Sequence, residues 1–165
     1  MRSRTSTWFE TKVKYQKTME DGSEKVVSEA YVVDALSFTE AESAIIDEMS
    51  VYVSGGLKVS GIGKACYGEI FFSDIDDDDK WYKAKLQFIT IDEKTEKEKR
   101  SNVTYLVQAK SLARALRYID EVMGKTMIDY DVVGLNETKL MDVFEHHAPG
   151  DKKEEKNDVP EYEEK

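Results

Sequence analysis

Few side chains in this sequence could do chemistry, and their spacing decides what each could do. The two histidines, His146 and His147, are adjacent. Neighbours on a strand point to opposite sides, so this pair does not close on one metal from regular structure. The single cysteine, Cys66, excludes an intrachain disulfide and a multi-cysteine metal site, and reads as a small residue packed in a strand. Asp74, Asp76, Asp77, Asp78 and Asp79 form a dense carboxylate run. A calcium loop alternates its ligands around a bend glycine and closes on a glutamate. This run does neither and reads as a solvated charged linker. Gly55-Gly56 and Gly61-Ile62-Gly63-Lys64 match no phosphate-cradling spacing, and the second reads as a sharp turn between strands. Covalent catalysis needs a nucleophile beside a base. None is apparent, so the expectation is a protein that is not an enzyme, with no cofactor and no metal.

Two short stretches carry the remaining signal. Trp8, Lys12 and Lys14 fall on one side of an alternating segment, and Trp81, Lys83 and Lys85 on one side of another. Gln16 and Gln87 continue those faces. Aromatic rings interleaved with cations suit a single strand of nucleic acid, because bases stack and phosphates need charge. The competing reading is plainer: a tryptophan at a strand start packs beneath its surroundings, and lysines keep a sheet face wetted.

The elements that hold these residues occur twice. Trp8–Tyr15 and Trp81–Phe88 lie about 73 residues apart, Tyr31–Ser37 matches Tyr105–Ser111, and Ala41, Ile45 and Met49 match Ala115, Ile119 and Met123. Val59, Gly61 and Ile62 fall on Val132, Gly134 and Leu135. Glu20-Asp21-Gly22-Ser23 signals a hairpin turn. Ser37 and Glu40 form a capping box before a helix burying Phe38, Ala41, Ile45 and Met49. Ser111 opens the second helix, but Arg114 stands where the box needs an acid, and Gly124 stops it. The expected fold is α+β: an internally duplicated ββαββ unit, with two helices packed on antiparallel sheet. The parts are a first repeat (1–73), an acidic junction (74–80), a second repeat (81–147) and a disordered acidic tail (148–165).

A chain of 165 residues, 40% hydrophobic, can bury the core of one modest body. Its net charge of −10 is unevenly placed. With the aspartate run and the tail set aside, 22 acidic residues face 20 basic ones, which leaves room for a local basic face. No apolar run is long enough to cross a bilayer and no signal-peptide core follows Met1. With a lone cysteine, this points to the cytoplasm and to no membrane partner.

The segments Met1-Arg-Ser-Arg-Thr-Ser-Thr-Trp8-Phe9-Glu10, Tyr31-Val-Val-Asp-Ala-Leu-Ser-Phe-Thr-Glu-Ala41 and Trp81-Tyr-Lys-Ala-Lys-Leu-Gln-Phe88 resemble an uncharacterised domain-of-unknown-function family of gut Bacteroidetes and their phages. That resemblance implies no activity. In topology alone, four strands followed by a helix are similar to the units of Pur-type and Whirly-type single-strand binders. The acidic tail resembles those of bacterial single-strand binding proteins but lacks their apolar tip. The leading expectation is a non-enzymatic accessory protein binding single-stranded nucleic acid through Trp8, Lys12, Lys14, Trp81, Lys83 and Lys85. The acidic tail would compete for that face or contact protein partners. The alternative is a protein-interaction or structural scaffold, phage-encoded in one setting. Exposed rings favour the first reading and buried rings the second.

Overall fold

The computed structural model describes residues 1–53 and 55–145. His146, His147 and the expected tail (148–165) lie outside the described residues. Within them the chain is α+β, with nine strands and two helices.

Among the described residues it divides into two compact units, one made of residues 1–6 and 65–142, the other of residues 7–64 and 143–145. These units do not follow the repeat boundaries 1–73 and 81–147. The reason lies in the last strand of each repeat, which joins the other repeat's sheet.

The second unit is built on a hairpin of β2 (Trp8–Thr18) and β3 (Glu24–Asp34), paired from Trp8 opposite Asp34 to Thr18 opposite Glu24. Its turn follows the sequence signal. Gly22 adopts φ +83°, and the Asp21 carboxylate accepts from the Ser23 N–H at 2.9 Å. With β4 (Leu57–Ala65) and β9 (Leu140–Phe144) the sheet order is β4-β2-β3-β9. Phe9, Val13, Tyr31, Val33 and Ala35 pack against Ala41, Ala44, Ile45 and Met49 of α1 (Phe38–Met49). Phe144 stacks on Tyr31 at 5.3 Å. Phe38 is not in this core. It is 56% exposed and meets Phe9 edge-on at 5.1 Å, and Ala44 fills the position nearer the sheet. Gly61-Ile62-Gly63-Lys64 lies inside β4 and makes no turn.

The first unit has a mixed sheet, ordered β1-β5-β7-β6-β8. Its strands are β1 (Arg2–Arg4), β5 (Glu69–Phe72), β6 (Lys80–Ile91), β7 (Glu98–Ala109) and β8 (Asp129–Glu137). β5 runs parallel to β7, a departure from the antiparallel sheet expected, while β6 is antiparallel to both β7 and β8. Tyr82, Ala84, Leu86, Tyr105 and Val107 pack on Ala115, Ile119 and Met123 of α2 (Leu112–Gly124). Apart from β1, the two sheets repeat one plan: β4-β2-β3-β9 and β8-β6-β7-β5. Cys66 falls between β4 and β5 and is exposed, because the strand ends at Ala65 before reaching it.

Candidate functional site

Each sheet turns one face to its helix and the other away, and the candidate residues lie on the second face. Strand alternation puts Trp8, Lys12 and Lys14 opposite to Phe9 and Val13, and Trp81, Lys83 and Lys85 opposite to Tyr82 and Leu86. All four lysines are exposed, with no ion-pair partner within 4.0 Å among the described residues. Each pair of lysines therefore meets solvent. Their partners on the adjacent central strands are uncharged: Lys12 pairs with Ala30, Lys14 with Ser28, Lys83 with Leu106 and Lys85 with Thr104, while Glu10 shares the face of Lys12 two residues away. A glycine on the edge strand flanks each face. A Cβ at Gly61 would sit 4.0 Å from that of Lys12, and one at Gly134 3.7 Å from that of Lys85.

The indoles do not share that exposure. Trp8 is 0% exposed and Trp81 2%. Trp81 stands edge-on to Phe72 at 5.6 Å, and the Arg2 guanidinium lies 4.3 Å from the centre of that Phe72 ring. Thr138 donates both its N–H (2.9 Å) and its hydroxyl (2.8 Å) to the Trp81 carbonyl, clamping the strand start. Val32, Ile70 and Leu106, on the same faces as the indoles, are also fully buried. This corrects the expectation that Trp8 and Trp81 form part of an exposed binding face. Each face is dry around its tryptophan and wet around its lysines, because burying an indole removes far more apolar surface from water than leaving it beside lysines would. The structure thus brings Lys12 with Lys14, and Lys83 with Lys85, on faces whose tryptophans are buried.

Two features escaped the sequence reading. The first is Asp78. Its neighbours in the run are solvated, as expected of a linker, but Asp78 is 1% exposed. Its carboxylate accepts from the Ser73 hydroxyl, from the Tyr118 hydroxyl at 2.6 Å, from the Lys110 N–H at 2.8 Å and from the Arg114 guanidinium at 3.2 Å. Burial pushes this carboxyl up, yet the donors outweigh burial and hold it below the ordinary carboxylate range. Asp78 thus ties the junction to the start of α2 and completes the helix end that lacks an acid at Arg114. Arg114 and Tyr118 stand four residues apart on one helix face, a spacing consistent with a shared partner, but nothing local singles out Asp78.

The second is an apolar groove of about 520 Å³ between α2 and β8, lined by Leu112, Ala113, Leu116, Val132, Val133, Gly134 and Leu135. β8 is an outer strand of its sheet, and its register on β6 slips at Val133, between the pairs Lys85–Gly134 and Leu86–Val132. Leu112 and Val133 are half exposed there. Leu112 and Leu116, four residues apart on the helix, show a second apolar edge beside the Ala115–Ile119 core stripe, and that was the available sequence signal.

Among the described residues no helix is long and apolar enough to cross a membrane, and no three His, Cys, Asp or Glu side chains gather to hold a metal ion. Comparison with curated proteins and with solved structures gives no match. A family does match, over residues 7–146, which takes in both helices and both tryptophans. The chain belongs to that family, DUF4494, a domain of unknown function.

Proposed function

We propose that this protein is a non-enzymatic protein-interaction module, a scaffold or accessory component that presents the α2–β8 groove and the β8 edge to a protein partner. The observation that carries this reading is the coincidence of an apolar groove with an outer strand. An added strand finds backbone hydrogen-bonding groups on β8 and pockets for alternate side chains beside Leu112 and Leu116. Burial of Trp8 and Trp81 weighs the same way, since the competing single-strand reading needs them as stacking platforms. We infer a cytoplasmic setting, in a phage or its bacterial host, from the resemblance in sequence to proteins of gut Bacteroidetes and their phages. The shared sheet plan supports origin of the two halves by internal duplication.

The exposed Lys12, Lys14, Lys83 and Lys85 sustain a second reading, an anionic partner such as single-stranded nucleic acid held by charge alone. One experiment separates the two. A photo-crosslinking residue in place of Leu116 should give a discrete protein adduct in cells. An unstructured oligonucleotide at low salt should be retained neither by the full chain nor by a chain ended at residue 145. Salt-sensitive retention that is lost in Lys83→Glu/Lys85→Glu, with no protein adduct at Leu116, overturns the proposal in favour of the second reading.

A further inference from the structure

The two sheets end in outer strands of very unequal size. β1 has three residues and β9 five, whereas β4 and β8 have nine each. A long outer strand is a template for pairing, and proteins keep such edges short or occupy them. Among the described residues no strand pairs with the outer side of β4 or of β8.

Their charges are opposite. β4 carries Lys58 and Lys64 and no acid. β8 carries Asp129, Asp131 and Glu137 and no base. All five side chains are exposed, and Lys58, Lys64 and Asp129 have no ion-pair partner among the described residues. Asp131 holds Arg100 at 2.8 Å and Glu137 holds Lys80 at 3.6 Å, surface pairs that an incoming lysine can share. Like edges repel in this arrangement and unlike edges attract.

We propose that the acidic β8 edge of one molecule receives the basic β4 edge of a second copy, giving head-to-tail association. The joint is heterologous, so each added copy leaves one β4 and one β8 open and growth continues into a ring or a filament. The groove beside β8 takes the apolar side of the incoming unit, covering Leu112, Leu116 and Val133. This rests on the interaction-module reading and names its partner as the chain itself.

Sedimentation of the full chain over a wide concentration range tests it. Wild-type protein should form species beyond the dimer that grow with concentration. Lys58→Glu/Lys64→Glu places acid on both edges, and Asp129→Lys/Glu137→Lys makes β8 basic like β4. Each variant alone should associate at least about tenfold more weakly, with an unchanged thermal midpoint as the check on folding. Mixing the two variants should restore growth, because every joint then has unlike edges. A wild-type chain that stays monomeric overturns the inference. So does a finite dimer that survives Lys58→Glu/Lys64→Glu, which would mark a β8–β8 contact. A crosslink from Leu116 to a different protein, with no self-association, sinks this inference and leaves the interaction-module reading standing.

Discussion

The two helices each start from a serine, Ser37 and Ser111, and are secured by different means. At α1, Ser37 accepts from the Glu40 N–H at 3.1 Å, and the Glu40 carboxylate reaches back to the Leu36 N–H at 3.1 Å. At α2, Ser111 accepts from the Arg114 N–H at 3.2 Å, but the N–H equivalent to that of Leu36 belongs to Lys110 and donates to Asp78. One end is closed by its own third residue, a local device. The other is closed by a carboxylate from the junction, which also gathers Arg114, Tyr118 and Ser73. The same backbone need is met within one turn in one unit and across 32 residues in the other. Loss of a local cap frays a helix end, whereas loss of the distant one also frees a loop.

The largest expected effect probes what the two units share. Trp8→Ala and Trp81→Ala should each cost about 3–5 kcal/mol in denaturant unfolding, as for other buried aromatics, since both indoles are core. A loss below about 1 kcal/mol in either would mean that the ring is not packed. Next is the difference between the helix starts. Asp78→Ala should cost about 3 kcal/mol, because it strands the Arg114 guanidinium, the Tyr118 hydroxyl and a backbone N–H. Glu40→Ala should cost only about 1 kcal/mol, the usual worth of a cap. Equal losses would erase the contrast.

Acid sharpens it further. The Asp78 carboxyl is held below its unfolded value near 3.9, so its stabilisation is fully present above about pH 4. It is lost as pH falls through the folded value. The stability gap between wild type and Asp78→Asn should therefore be constant above about pH 4 and narrow below it. A gap that widens on acidification would reverse the assignment. The smallest effect concerns the two hairpin turns. Gly22 in the first and Glu96 in the second both have positive φ, +83° and +58°. Gly22→Ala should destabilise by about 1 kcal/mol, and Glu96→Gly should stabilise by up to about that amount, as read by thermal midpoint.

Much of the local structure was legible in the sequence, for physical reasons that are themselves local. Alternation from Trp8 to Thr18 and from Trp81 to Phe88 defined two strands, Asp21-Gly22 their first turn, and Ser37 and Ser111 the helix starts; the second strand runs on to Ile91. The helix-facing core followed from the same periodicity, Phe38 excepted.

What covers the other face of each sheet was decided only by tertiary structure. Alternation sorts residues into two faces but does not say whether the second is wet, so the indoles were grouped with the lysines beside them. The exchange of β5 and β9 between sheets is a pairing of distant strands, and four- and five-residue segments carry no local mark of their neighbour. Asp78 shows the limit most sharply. In the sequence it is one of five interchangeable aspartates; in the fold its carboxylate alone meets four donors, and the low exposure that makes it matter comes from chain far away in sequence.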